Sequence, residues 1–172
     1  MNRPYLQGGS YHWANADLSW LSDNIKVLGA TSSYTPNTAA GGDEFLSAIP
    51  GGAIVCTSSN LSGKTNTAGV LAASNVTFAS VGSGSTIIQF VIYHDTGSSA
   101  TSELIAIYDT ATNLPVVTNG GNIGLQWAGS PNYVMAFYKK ALGKLLCGRG
   151  AVIGAFHPQG GLWLPAPTIF QF

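Results

Sequence analysis

Two apolar runs around a short polar loop, between Ile87 and Asp109, constrain the fold more than any other part of the chain. Residues 87–93 and 104–108 are rich in β-branched and aromatic side chains, which favour strands. Thr96, Gly97 and Ser98 between them supply turn chemistry. We therefore predict a β-hairpin. Both faces of its strands are apolar, which implies burial on both sides. In the first strand we expect Ile88, Phe90 and Ile92 on one face and Ile87, Val91 and Tyr93 on the other.

Further short β-forming runs are separated by turn signals such as Asn119, Gly120 and Gly121. Examples of these runs are "IKVLGA", "AIVCT", "NVTFASV", "NIGLQW" and "NYVMAFYKK". Long helical periodicity and repeats of roughly 20–50 residues are not apparent. About eight short strands at this spacing predict an all-β fold. We expect a single domain with an antiparallel β-sandwich or jelly-roll-like architecture.

The chain of 172 residues divides by composition into a domain and an arm. Residues 1–140 are predicted to form the β-sandwich domain, with residues 1–22 as an N-terminal segment packing on it. Residues 141–172 are rich in Gly, Pro and aromatic side chains and contain no acid. Their prolines prevent long regular elements, so we expect an extended C-terminal arm. The arm packs either on its own domain or on a neighbouring protein.

Charge is scarce in this protein. Charged residues make up 8% of the chain, against roughly 25% in an ordinary soluble protein, and hydrophobic residues make up 45%. This balance predicts a surface covered by partners, although uncharged secreted proteins share it. The net charge of zero gives no general case for binding nucleic acid or an anionic membrane. We also expect no signal peptide and no membrane span, because the apolar runs are too short and poorly placed.

The few charges are unevenly distributed along the chain. All seven acids lie at or before Asp109, and the later charges are Lys139, Lys140, Lys144 and Arg149. These four cations form either a solvated strand end and loop or a short basic patch that faces an acidic partner. They are candidate interface residues.

Three aromatic side chains complete the candidate interface: Trp163, Phe170 and Phe172 in the proline-containing arm. Burying a Phe side chain contributes about 1.5–3 kcal/mol, so aromatic anchors outweigh exposed cations as a source of affinity. We expect that removing residues 162–172 leaves a folded domain that no longer assembles.

Motifs for catalysis or cofactor binding are weak. Gly63, Lys64 and Thr65 resemble the end of a P-loop, but Ser58 stands where its first glycine belongs, so we expect an ordinary loop. His94 and Asp95 are neighbours at a strand end and point to opposite faces, so they form no base and acid pair. Asp95 is expected to bond nearby backbone N–H groups at the start of a turn.

Metal and nucleophile patterns are equally weak. The three histidines have no ligand spacing, and Cys56 and Cys147 are isolated. No G-x-S-x-G motif is present. We predict that the protein is not an enzyme and has no catalytic residues, cofactor or metal ion.

The order of several blocks resembles a family of small tailed-bacteriophage virion proteins. These blocks are "DNIKVLGATSSYTPN", "FLSAIPGG", "NVTFASV", "FVIYHDTGSSATSELIAIYD" and "GGNIGLQW". The resemblance covers roughly residues 16–138 and brings no catalytic residues. It implies a structural protein of the virion, made in the host cytoplasm. Within that class, it favours a head decoration or cement protein, a homo-oligomer that bridges subunits of the major capsid protein.

Two alternatives to a head decoration protein remain. The first is another virion component at the neck, tail or fibre. The second is a carbohydrate-binding β-sandwich module, in which Trp13, Trp20, Trp127 and Trp163 would supply stacking platforms. Aromatic residues in a chain of this kind are more often part of the core, and we expect these to be so.

Overall fold

Strands dominate the computed structural model, which describes residues 2–128, 132–138, 161–163 and 167–171. With 39% strand and 10% helix, the protein is all-β, as predicted. The strands are β1 (Arg3–Pro4), β2 (Ile25–Ala30), β3 (Ile54–Thr57), β4 (Thr65–Thr67), β5 (Val70–Ala72), β6 (Val76–Phe78), β7 (Thr86–Ile87), β8 (Gln89–His94), β9 (Leu104–Tyr108), β10 (Val116–Val117), β11 (Ile123–Gln126), β12 (Tyr133–Tyr138), β13 (Gly161–Trp163) and β14 (Thr168–Gln171).

Helical structure in the described residues is short. A π-type turn at Leu6–Ser10 leads into helix α1 (Tyr11–Ala14), and two 3₁₀ turns lie at Leu46–Ala48 and Gly51–Ala53. The two 3₁₀ turns flank Pro50, whose ring disfavours a helix that continues through this position. None of these elements is long enough to form a helical layer.

Four antiparallel sheets are formed by the described strands. The largest has the order β1-β9-β8-β2-β3, and the others are β13-β12-β5-β4, β14-β11-β6 and β10-β7. Phe78 from β6 stacks on Phe90 from β8, with ring centroids 5.7 Å apart, so the three-stranded and five-stranded sheets face each other across a core. This arrangement confirms the prediction of an antiparallel, sandwich-like domain.

The hairpin predicted from the two apolar runs is β8 and β9. It pairs in antiparallel register, with Phe90 opposite Tyr108 and Ile92 opposite Ala106. Every residue of β9 and all but the last residue of β8 are buried. The hairpin is therefore covered on both faces, as its sequence indicates.

The predicted division of faces is wrong at the start of the first run. The run breaks at Ile88, where the chain passes from β7 in the two-stranded sheet to β8 in the five-stranded sheet. Ile87 consequently packs in the same core cluster as Phe90 and Ile92, and not with Val91. A strand that changes sheets breaks the strict alternation on which the prediction depended.

The N-terminal segment covers the second face of the hairpin. Tyr5 is fully buried in a cluster that includes Val91 and Leu104, and β1 pairs with β9. Its backbone approaches β9 closely at two glycines: a Cβ on Gly8 would lie 2.2 Å from the Leu104 carbonyl oxygen, and one on Gly9 would lie 2.4 Å from that of Ile105. Side chains other than hydrogen cannot be accommodated at either position without moving the segment.

A buried polar chain also fixes the N-terminal segment. The Tyr5 and Tyr34 hydroxyl oxygens are 2.8 Å apart, and the Tyr34 hydroxyl donates to Asp43 Oδ2 at 2.7 Å. The Gln89 side chain donates to the Tyr34 carbonyl at 2.8 Å. Burial raises the pKa of both phenols above the ordinary value near 10. The two phenol hydroxyls thus hydrogen-bond to each other in a buried region, where ionisation of either phenol is unfavourable.

The described parts of the C-terminal arm belong to sheets of the same chain. Within β13, Trp163 lies opposite Ala136 of β12, and within β14, Ile169 lies opposite Leu125 of β11. Ile169 is only 1% exposed and belongs to the main core. On the other side of β14, Thr112 accepts from the Ile169 N–H and donates its own N–H to the Pro167 carbonyl. Because these residues complete the domain's own sheets and core, we now expect removal of residues 162–172 to destabilise the fold, in contrast to the expectation from sequence.

We predict that Ile169→Ala lowers the free energy of unfolding by about 2–4 kcal/mol, because it removes buried methyl groups and leaves a cavity. Phe170→Ala on the same strand, where the side chain is 40% exposed, is the matched control and should change stability less. Urea unfolding followed by circular dichroism measures both. A change below about 0.5 kcal/mol for Ile169→Ala would show that β14 does not contribute to the core.

We also predict loss of stability at alkaline pH. The pKa values of Tyr5 and Tyr34 are raised in the folded protein, and burial with the nearby Asp95 charge raises the pKa of Tyr93 to about 12. Folding therefore favours the protonated phenols; this stabilisation is complete below pH about 10 and is lost as the pH rises above it. Urea unfolding at neutral and alkaline pH checks this expectation.

Two variants separate the phenol contribution from general alkaline damage. Tyr5→Phe should lose about 1 kcal/mol at neutral pH through its hydrogen bond, yet its stability should fall less steeply above pH about 10. Tyr11→Phe changes a phenol that is 51% exposed and should alter neither quantity. Equal alkaline slopes for wild type and Tyr5→Phe would contradict the assignment.

Candidate functional site

Five of the candidate interface residues lie outside the described residues: Lys139, Lys140, Lys144, Arg149 and Phe172. The basic patch that they were predicted to form therefore stays a prediction. The other two candidates, Trp163 and Phe170, lie on strands of the domain's own sheets.

Phe170 points away from the core. It is 40% exposed, whereas its neighbour Ile169 is 1% exposed, as expected for alternate residues of a strand with one buried face. Across the sheet Phe170 lies opposite Gly124, which in turn lies opposite Thr77. We call the outward side of this sheet the Phe170 face; its residues are Thr77, Gly124, Gln126, Thr168 and Phe170, and none is charged.

Charged side chains gather instead at the loop end of the hairpin. His94 Nδ1 lies 2.7 Å from Glu103 Oε2, and His94 Nε2 lies 3.9 Å from Asp23 Oδ2. Beside them, Lys26 Nζ lies 2.5 Å from Asp95 Oδ2. These five side chains, the hairpin-end cluster, join the end of β8, the start of β9 and the segment that enters β2.

The predicted behaviour of His94 and Asp95 is confirmed. His94 contacts Glu103, whereas Asp95 contacts Lys26, so the two adjacent residues have separate partners. Asp95 Oδ1 also accepts from the Gly97 N–H at 3.1 Å, as expected for a turn start. The hydrogen bond from Lys26 lowers the pKa of the Asp95 carboxyl, burial opposes that change, and the Gly97 N–H adds to it.

The contacts of the hairpin-end cluster hold neighbouring chain segments together. Its side chains are only 13–26% exposed, and each charged group is directed at another group of the cluster. Across residues 2–128, 132–138, 161–163 and 167–171, no three His, Cys, Asp or Glu side chains come together in a way that could hold a metal ion. The cluster thus fastens three chain segments to one another.

Every carboxylate of the protein contacts a polar or charged group of the same chain. All seven acids fall within the described residues, and each contacts a partner of the same chain. The pairs are Asp17 with His12, Asp23 with Ser19 and His94, Asp43 with Tyr34 and Asn37, Glu44 with His12, Asp95 with Lys26, Glu103 with His94, and Asp109 with Arg3.

The P-loop-like residues do not form a phosphate site. Lys64 Nζ donates to the main-chain carbonyl of Asp23, and Thr65 begins strand β4 where a P-loop would begin a helix. Burial lowers the pKa of Lys64, with the nearby Asp23 charge opposing this. The expectation of an ordinary loop between strands agrees with this geometry.

A small open pocket lies beside the edge strand β6. Residues 59–62 and 74–77 line it with Ser, Thr, Asn, Leu and Val side chains, none of them charged. Its volume of about 70 Å³ is well below the roughly 300–1,000 Å³ of typical small-molecule sites. It is too small to enclose a substrate.

Two of the four tryptophans are core residues. Trp20 and Trp127 are each 2% exposed, and their indole N–H groups donate to the carbonyls of Ala72 and Ser74. Trp13 is partly buried, with its ring edge-on to Phe137 at 5.3 Å. The expectation that the aromatic residues are core is confirmed for Trp20 and Trp127, which cannot serve as stacking platforms for sugar.

No protein-family model matches this chain, and no curated protein matches it either. In the part of the chain that the structure describes, no helix is long and apolar enough to cross a membrane.

We predict that Lys26 and Asp95 are energetically coupled, by about 1 kcal/mol for a partly exposed pair. The pKa of Asp95 is lowered by folding, so the coupling is present above pH about 4 and is lost as the pH falls through the lowered value. Unfolding of wild type, Lys26→Met, Asp95→Asn and the double variant, at neutral and strongly acid pH, gives the coupling. A coupling that is absent at neutral pH, or that persists unchanged in acid, contradicts this prediction.

Proposed function

We propose that this chain is a structural protein of a tailed-bacteriophage virion, a capsid decoration (cement) protein that stabilises the head shell by bridging capsid subunits. The observation that carries the proposal is the pairing of all seven carboxylates within the chain, on a body whose outward Phe170 face is uncharged.

Unpaired surface charge is what keeps a free protein monomeric and soluble. A net charge near zero promotes association, and here Arg3 and Lys26 pair with acids of the same chain while Lys64 binds a carbonyl. The uncharged Phe170 face carries a low desolvation penalty when another protein covers it, because no ionic group on that face has to leave water. It therefore supports a protein that works in an assembly.

The step from an assembly to a virion rests on the order of β blocks, which resembles that of small tailed-phage virion proteins. Those blocks include β2, the β8–β9 hairpin and β11. Their compact arrangement supports a rigid unit that attaches through its surface, because β13 and β14 complete its own sheets. Phe170 is the described candidate for an anchor.

Neck, tail or fibre components share these properties with decoration proteins. The copy number per virion distinguishes them. The number of decoration proteins matches the number of shell subunits, whereas the number of neck, tail or fibre proteins matches the subunits of the ring or fibre to which they belong. A carbohydrate-binding module draws less support, since Trp20 and Trp127 are buried. Binding of the purified protein to a glycan array would favour it.

We predict that Phe170→Ser weakens attachment about tenfold while the protein stays folded, because burying a Phe contributes about 1.5–3 kcal/mol. The measurement is occupancy on empty shells of the phage's major capsid protein, titrated with purified protein and read by sedimentation. Val117→Ser, at a strand residue that is 63% exposed, is the matched control and should bind like wild type.

Each contrary result has a distinct meaning. Failure of the wild-type protein to bind any shell overturns the decoration proposal. Full occupancy by Phe170→Ser overturns Phe170 as the anchor, and weakened binding of Val117→Ser alone moves attachment to the β10 side.

A further inference from the structure

The turn between β10 and β11 contains the sequence Asn119-Gly120-Gly121, and its geometry is unusually open to reaction. Asn119 and Gly120 are both exposed. Gly120 has a φ of +92°, and apart from its two chain neighbours no group lies within 4 Å of the position that a Cβ would occupy there. The Asn119 Oδ1 atom accepts a hydrogen bond from the Gly121 N–H at 2.9 Å.

These features match the requirements of an intramolecular reaction of asparagine. The backbone nitrogen of the following residue attacks the side-chain carbonyl carbon, and negative charge develops on the side-chain oxygen. A glycine at that following position leaves the attacking nitrogen unhindered, because it has no Cβ. A donor already placed on the oxygen stabilises the developing charge, as in an oxyanion hole.

We propose that Asn119 is a site of spontaneous deamidation. The Gly120 nitrogen forms a bond to Asn119 Cγ and loses its proton, while the Cγ–Nδ2 bond breaks and ammonia leaves. Water then opens the resulting five-membered imide ring at either carbonyl, which yields aspartate or isoaspartate. Solvent supplies the water, so the step needs no oxidant, reductant or cofactor.

The product changes the turn in two ways. Either form adds a carboxylate beside Gly120 and Gly121, where the native side chain is a neutral amide. Isoaspartate also adds a methylene to the backbone within a turn whose alignment is set by two bonds, from the Val81 N–H to the Gly121 carbonyl and from the Gly84 N–H to the Thr118 carbonyl. We expect isoaspartate to loosen this alignment.

The chain contains a matched internal control. Asn37 is also exposed, and its Oδ1 accepts from the N–H two residues later, that of Ala39, at 3.3 Å. The residue after Asn37 is Thr38, whose β-branched side chain crowds the attacking nitrogen. The two sites therefore share exposure and the type of side-chain hydrogen bond, and they differ in the following residue, in the length of that bond and in the backbone bonds of Asn37 to Asp43.

The test is to incubate the full-length folded protein in mildly alkaline buffer at physiological temperature and to map its peptides by mass over time. We expect conversion at Asn119 at least about tenfold faster than at Asn37, with isoaspartate detected by an isoaspartyl methyltransferase assay. Asn119→Gln should abolish the signal, because its longer side chain disfavours the five-membered ring. Equal rates at Asn119 and Asn37 would overturn the proposal.

A second comparison tests the part played by the fold. The same chain unfolded in urea lacks the bond from the Gly121 N–H, so we expect Asn119 to react at least as fast in the folded protein as in the unfolded one. Slower reaction in the folded protein would show that the turn protects Asn119, and the assigned role of the Gly121 N–H would be wrong.

Discussion

Burial of the β8–β9 hairpin on both faces is the constraint on which the rest of the structure depends. Neither strand has a face for water, so each side requires a cover. On one side the three-stranded sheet supplies it, with Phe78 stacked on Phe90. On the other side the fully buried Tyr5 of the short N-terminal segment supplies it, together with Tyr34, Ile49 and Ala53. The close approach of Gly8 and Gly9 to β9 and the bond between Tyr5 and Tyr34 follow from that second cover.

The scarcity of charge has a related consequence. With few ionic groups available, this protein directs them at one another, as in the contacts of Lys26 with Asp95 and of His94 with Glu103. These pairs fasten loop ends to strands, and the described Phe170 face presents hydroxyl, amide and apolar groups. A surface of that kind is consistent with the proposed role in an assembly.

The C-terminal strands alter how such an assembly would be built. Ile169 lies in the core and Phe170 lies outside it, one residue apart on β14. The strand therefore contributes both to folding and to the outer surface, so deletion of the arm would confuse the two contributions. Single substitutions on opposite sides of β14 separate them.

The sequence by itself determined the all-β class, the hairpin and the turn at Asp95, because these depend on alternation, β-branched side chains and local hydrogen bonds. It also indicated that Trp20 and Trp127 are core, since large aromatic residues are more often buried than exposed. Tertiary structure alone decided that the run from Ile87 changes sheets at Ile88 and that Ile169 completes a sheet of its own domain. It also brought Asp23, Lys26 and Glu103 to the end of the hairpin. These outcomes depend on pairing between residues far apart in the chain. Which distant surfaces pack together determines this pairing, and a local sequence pattern carries no information about that.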